Sequence, residues 1–164
     1  MIDSLKVRPA VPGDALALCE MRHALWPDGS AEEHQAELED YFSGRGRASL
    51  TILVAEDAAG RPVGFVELAI RPFAEGCTSD RVAYLEGWYV DPNHRGRGIG
   101  RALIEAAESW ARANGLIEFA SDGYADNEAG AAAHRAVGFE EVAVIRCFRK
   151  QLQTAHGHKG EVDA

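Results

Sequence analysis

Residues 89–101 read Tyr-Val-Asp-Pro-Asn-His-Arg-Gly-Arg-Gly-Ile-Gly-Arg. An apolar strand runs into a turn of glycines and arginines and then into a helix. A helix N-terminus presents unpaired N–H groups and a partial positive charge. Glycines remove the Cβ atoms that would hold a diphosphate at a distance. Gly96, Gly98, Ile99 and Gly100 supply the main chain here, and Arg95, Arg97 and Arg101 add cations to an otherwise acidic chain. The expected object is a phosphate cradle; the plain alternative is a glycine-rich turn with solvated arginines. Spacing removes two common cradles. A dinucleotide fingerprint needs G-x-G-x-x-G, but the last position falls on Arg101 counting from Gly96 and on Leu103 counting from Gly98. A P-loop ends in Gly-Lys-Ser/Thr, and no such run occurs.

The elements that must position this turn follow from periodicity and punctuation. Residues 2–8 alternate and stop at Pro9, a short strand. Pro12-Gly13-Asp14 opens a helix with Leu18, Met21 and Leu25 on one face, and Pro27 stops it. Ser30-x-x-Glu33 is a capping box for a second helix with Leu38, Tyr41 and Phe42 inward, ended by Gly44 and Gly46. Residues 50–56 and 63–70 are strands joined by the hairpin loop 57–61. Residues 82–90 are apolar on both faces, which predicts a central strand. The helix after the cradle buries Leu103, Ala107 and Trp110 and closes at Asn114-Gly115. A strand over 116–121, a short helix from Asn127 to Gly138 and a final strand over 139–148 complete the chain. This order predicts a mixed sheet with helices on both faces, an α/β or α+β fold.

The chain has 164 residues, a length that suits one domain with one sizeable core. Its 17 Lys and Arg against 26 Asp and Glu give a net charge of −9. That balance argues against nucleic acid, which needs clustered cations, and favours cationic partners. No apolar stretch suits a membrane span, and no signal-peptide core is present. Cys19, Cys77 and Cys147 form no paired framework and no CxxC, so buried or idle thiols in a reducing cytoplasm are expected, with no metal site. The closing polar stretch, with His156 and His158, reads as a solvated tail rather than a metal tract.

Arg95, Gly98 and Gly100 fit R-x-x-G-x-G, which resembles the acetyl-coenzyme A signature of the GNAT acetyltransferases. The element order resembles that family over about residues 2 to 150. Asn127 opens the next helix, where the family often sets an Asn on the pantetheine arm. His134 through Phe139 resembles the family's Y-x-x-x-G-F run, with His in place of Tyr. The resemblance implies a GNAT acyl-CoA N-acyltransferase fold, a mixed and mostly antiparallel sheet flanked by helices, over residues 1–150, with a tail at 151–164. It implies acetyl-CoA as co-substrate and no metal. It implies that Trp88, Tyr89 and Val90 bind pantetheine through the main chain and that their N–H groups polarise the thioester carbonyl. An oxyanion donor of this kind is typically worth about 3 kcal/mol.

The attacking amine must be neutral, so a carboxylate or a relayed water must take its proton. Glu86 lies mid-strand, where a carboxylate is rarely buried without a partner, and Asp122 lies where strand 116–121 runs out at the open end of the sheet. The alternatives are a structural ion pair for Glu86 and a turn or cap for Asp122. His134 stands where the resemblance would place the acid that protonates the leaving thiolate, or it is an idle helix-face histidine; a thiolate can also leave unaided. No cysteine adjoins the cradle in sequence, which favours direct attack over an acyl-enzyme.

Several spaced blocks are similar to bacterial aminoglycoside 6'-N-acetyltransferases: Leu25-Trp26-Pro27-Asp28 with Glu33-His34, residues 84–90, 118–122, 133–141 and 148–150. The resemblance implies acetyl transfer to the 6'-amino group of a cationic aminoglycoside, antibiotic resistance and a homodimer. Glu86 and Asp122 would bind the drug, with Asp122, or a water held by the two carboxylates, as base. Trp26 would stack on a sugar or a cation, or is a core aromatic. Phe73 lies near the position of a drug-contacting aromatic, often Tyr, and lacks its hydroxyl. The acidic run Asp28, Glu32, Glu33, Glu37, Glu39 and Asp40 would concentrate the substrate or is a solvated face. Two other functions share the cradle: acetylation of another small amine, polyamine or peptide N-terminus, and a non-catalytic acyl-CoA sensor.

Overall fold

The computed structural model describes residues 5–47 and 50–152. Strand β1 spans Lys6–Pro9, and a short turn of 3-10 helix at Pro12–Asp14 leads into α1, Ala15–Leu25. Helix α2 spans Ala31–Phe42. Its start is the expected reciprocal cap: Glu33 N–H donates to Ser30 Oγ at 3.1 Å and Ser30 N–H to a Glu33 carboxylate oxygen at 2.9 Å. Strands β2, Thr51–Glu56, and β3, Pro62–Arg71, form a hairpin whose loop turns on Gly60 at φ +76°. Asp57 holds that loop by accepting from the N–H groups of Ala59 and Arg61. Strand β4, Val82–Val90, precedes α3, Ile99–Ala113; β5, Phe119–Ser121, and α4, Glu128–Ala136, follow.

The sheet order is β1-β2-β3-β4-β5, antiparallel except for the parallel β4–β5 pair. The period of two in β2 divides the core. Ile52 and Val54 pack with Leu18, Met21, Leu38 and Phe65 on the α1–α2 face. Leu53 and Ala55 pack with Val66, Leu68, Leu103, Ile104 and Ala107 on the α3 face. Both helix faces thus bury the residues their spacing requires. Full burial of each large aliphatic side chain is worth about 2 kcal/mol.

Three expectations change. The strand expected over 116–121 begins only at Phe119. Gly115, at φ +71°, ends α3, and Leu116 N–H returns to the Ala111 carbonyl, so Leu116 serves the helix terminus instead. The strand expected over 139–148 is absent: that segment makes no ladder among the described residues. Its apolar alternation is genuine, but a strand needs a partner edge, and from Glu140 onward its side chains face solvent. The first strand begins at Lys6, with residues 2–4 outside the described residues, as are His156 and His158 of the tail. Among the described residues no helix is long and apolar enough to cross a membrane.

Candidate active site

The site starts from an irregularity in β4. Glu67 of β3 pairs with Gly87, but Leu68 pairs with Leu85, so Glu86 is the extra residue of a bulge. A bulge bends its strand and re-aims a side chain. Gly87 is obligatory: a Cβ there would lie 2.6 Å from the Trp26 ring. Trp26 also meets Phe65, ring centroids 6.2 Å apart, and carries the Arg22 guanidinium 5.4 Å from its own centroid. It is therefore half-buried against the α1–α2 face of the core, beside the bulge.

Strands β4 and β5 then part. Their last pair is Leu85 with Ser121, while β4 runs on to Val90 with β3 alone beside it. From Gly87 to Val90 one edge of β4 is thus open among the described residues. An extended chain can add to such an edge through main-chain hydrogen bonds. The half-buried side chains of Trp88, Tyr89 and Val90 lie on this stretch.

Beyond it lies the cradle. Gly96 and Gly98 have φ +73° and +80°, a left-handed conformation costly for other residues. Gly98 caps α3 without any side-chain hydrogen bond, and the first turn holds no acidic residue, so its N–H groups face outward unopposed. Gly100 packs on Trp88, where a Cβ would stand 3.1 Å from the indole, and Ile99 is buried. Arg95, Arg97 and Arg101 are exposed. Arg95 Nε donates to the Val90 carbonyl at 3.0 Å, and Arg101 donates to the Ala136 carbonyl at 2.7 Å, tying the end of α4 to α3.

Four polar side chains converge on the other side of the splay. Arg71, the last residue of β3, donates to both Glu86 oxygens, at 2.9 and 2.5 Å. Its guanidinium lies 3.5 Å from the Tyr84 ring centroid. The Tyr84 hydroxyl donates to Asp122 at 2.8 Å, and burial first, then that hydrogen bond, pushes the phenol up. Asp122 is exposed just past β5, with one oxygen engaged. The chemistry available is one free carboxylate oxygen beside a fixed cation and a phenol. Glu86, expected as a base or an ion-pair member, has Arg71 as a bidentate partner. Arg71 and Tyr84 were not among the expected site residues. The alternation that puts Tyr84 two residues before Glu86 was the available signal.

His134 Nδ1 lies 2.8 Å from the Gly130 carbonyl, which only accepts, so that nitrogen carries a hydrogen. Nε2 lies 2.9 Å from the Ser121 hydroxyl, at the point where β4 and β5 separate. The ring stands edge-on to Trp88 and Phe139, with centroids 5.4 and 5.3 Å apart. Asn127 caps α4 by accepting from Gly130 N–H at 2.9 Å. Phe73 is 64% exposed in the loop after β3. Glu118 anchors that loop by accepting from the N–H groups of Thr78 and Ser79 and from the Ser79 hydroxyl, bonds that hold its carboxyl below the usual range.

Behind the bulge, Glu67 is buried and Arg22 is within 3.0 Å, although neither facing atom makes a hydrogen bond. Burial raises the Glu67 carboxyl to about 7 against the pull of Arg22, with Glu37 and Glu86 pushing the same way as burial and Arg47 opposing. Arg22 also binds Glu37 of α2 and the His34 carbonyl, and so stitches α1, α2 and β3 together.

The profile of the acetyltransferase (GNAT) family matches residues 16–139. An aminoglycoside N(6')-acetyltransferase type 1 from Klebsiella aerogenes is 49% identical over 152 residues, covering 93% of this chain and 100% of that one. A protein of the same name from Stenotrophomonas maltophilia is 39% identical over 148 residues, covering 90% and 94%. Among solved structures, AAC(6')-Iy in complex with the bisubstrate analogue CoA-S-monomethyl-acetylneamine superposes with a TM-score of 0.83 at 30% identity, covering 92% of this chain and 100% of that one. AAC(6')-Ih from Acinetobacter baumannii gives 0.83 at 29% identity, with coverage of 92% and 100%.

Proposed function

The chain belongs to the acetyltransferase (GNAT) family, and from that premise we propose that it is an aminoglycoside 6'-N-acetyltransferase, moving the acetyl group of acetyl-CoA onto the 6'-amine of an aminoglycoside antibiotic. The full-length match to the Klebsiella aerogenes enzyme carries this reading.

The residues present fit the co-substrate. Left-handed glycines, an uncapped helix N-terminus and exposed arginines suit a diphosphate. The open β4 edge from Gly87 to Val90 suits the amide-bearing pantetheine arm. Bound there, acetyl-CoA supplies a thioester carbonyl and a sulfur leaving group. Gly96, Gly98, Ile99, Gly100 and the three arginines hold the phosphates. The main chain of Trp88, Tyr89 and Val90 aligns the arm, those of its N–H groups that point to the open edge polarise the thioester, and Asn127 offers its amide N–H₂ to the arm.

On the acceptor side, Asp122 and Glu86 attract the drug's ammonium groups. Asp122 takes the proton of the attacking amine on the oxygen that Tyr84 leaves free. Arg71, clamped by Glu86 against the Tyr84 ring, keeps that phenol in place. His134, with Nδ1–H fixed on the Gly130 carbonyl, acts as the imidazolium: its Nε2–H passes to the Ser121 hydroxyl oxygen as that hydroxyl gives its own hydrogen to the departing sulfur, leaving the ring neutral. Phe73 borders the drug, and the half-buried Trp26 supports the bulge from the α1 side. Positioning two reactants in this way can supply several kcal/mol of the barrier. Free Cys19, Cys77 and Cys147 suit a reducing cytoplasm, and the working unit is a homodimer.

Steady-state assays with kanamycin and tobramycin, with thiol release detected and the product's acetyl position mapped, test the reading. Acetylation at the 6'-nitrogen is expected. No acetylation of any 6'-amino drug alongside good turnover of another amine would remove it.

A further inference from the structure

Arg71 closes β3, and the exposed Phe73 follows two residues on. Ala69 pairs with Tyr84, and Arg71 and Glu86 each lie two residues from one member of that pair, so the three polar side chains share one face of the sheet. A guanidinium is a rigid fork that only donates. Arg71 spends Nε and Nη2 on the two Glu86 oxygens, and Nη1 makes no hydrogen bond among the described residues. The two-point hold and the stacking on Tyr84, 3.5 Å from guanidinium carbon to ring centroid, fix the orientation of the group. The same phenol donates to Asp122 at 2.8 Å, so one aromatic ring separates a fixed cation from the carboxylate that serves as base. Glu86 is also approached by Arg47 at 4.0 Å, so its charge is matched twice, whereas Asp122 has no cationic partner among the described residues. A fixed cation beside a site for polycationic drugs repels an ammonium group. The other polar group of an aminosugar is the hydroxyl, whose oxygen accepts what Nη1 has to give.

The geometry points to Arg71 as a specificity-determining residue whose Nη1 N–H groups donate to the hydroxyl oxygen next to the reacting amine, the 4'-hydroxyl of a 6'-amino sugar. The inference rests on the proposed acetylation at the 6'-nitrogen. With that nitrogen at Asp122, the neighbouring hydroxyl comes level with the guanidinium across the Tyr84 ring. Only three carbons of the sugar join the two groups, so the acceptor can meet base and cation together. A hydrogen bond from a charged donor is stronger than a neutral one, and an acceptor without the hydroxyl leaves half-buried N–H groups unpaired. A loss of about tenfold or more in kcat/KM is the expected scale. Arg71 thus reads the neutral part of the drug while Asp122 reads its amine.

The experiment compares tobramycin with dibekacin, which differs from it only in lacking the 4'-hydroxyl. The kcat/KM of each drug is measured for the wild type, Arg71→Met and Arg71→Lys. The ratio is taken within one protein, so structural damage common to both drugs cancels. Arg71→Lys keeps the charge for Glu86 but not the second branch of the fork, and calorimetric binding of acetyl-CoA shows that each variant is folded. The wild type is expected to prefer tobramycin by about tenfold or more, and both variants to bring the ratio within about threefold of one. A wild type without the preference overturns the inference. So does a folded variant that keeps it, which would leave Arg71 as a purely structural partner of Glu86. Failure of the wild type to acetylate either drug at the 6'-nitrogen removes the parent reading and this inference with it, whereas the ratios bear on the inference alone.

Discussion

Asp122 is the residue on which the proposed proton transfer turns. One of its oxygens accepts from Tyr84, and the other is without a hydrogen bond among the described residues. Asp122→Asn keeps the shape and the acceptor oxygen but removes the base. Turnover should fall by roughly 100-fold or more, while acetyl-CoA affinity measured by calorimetry stays within about twofold. An unchanged pH–rate profile would rule Asp122 out as the base. At this scale the sequence was informative about types and less so about partners. Asp122 was legible because it sits where an apolar strand ends. The bidentate hold of Arg71 on Glu86 was not, because it depends on a bulge that periodicity does not reveal. Trp26 shows the same limit: its seat on Gly87 exists only once α1 and β4 are packed together.

Helix α3 and the turn before it act as one element. The turn needs glycine at Gly98 for its φ of +80°, and the helix needs no carboxylate near its first N–H groups. Gly98→Asp violates both conditions. Acetyl-CoA affinity should drop at least about tenfold, read by calorimetry, with the melting temperature reporting any cost to the fold. Normal affinity in that variant would contradict the cradle. Local signals made the helices readable. The Ser30–Glu33 cap, the Gly115 stop and the Asn127 cap all stand where residue type predicted. Strands were less readable at the sheet margin. A strand's existence depends on a neighbour that is distant in sequence, which is why β5 is short and 139–148 has no ladder among the described residues.

For the whole molecule, Arg22 beneath the bulge joins α1 and α2 to the sheet through Glu67 and Glu37. Burial raises the Glu67 carboxyl from 4.5 to about 7, so the folded state binds this proton more tightly than the unfolded state. The resulting stability is complete below about pH 4.5 and is lost as pH rises through about 7. Glu67→Gln should flatten that decline, by on the order of 2 kcal/mol, in urea unfolding compared at about pH 5 and about pH 8. Equal slopes in the two proteins would show that another group titrates in this window. The splay of β4 from β5 has a further consequence, for selectivity. On the proposed function, the donor half of the site is read mainly by backbone, whereas the acceptor half is read by exchangeable side chains such as Phe73, on a loop held by Glu118 and by the buried Ala74. Substitutions at positions such as Phe73 then change which aminoglycosides are acetylated while affinity for acetyl-CoA stays constant.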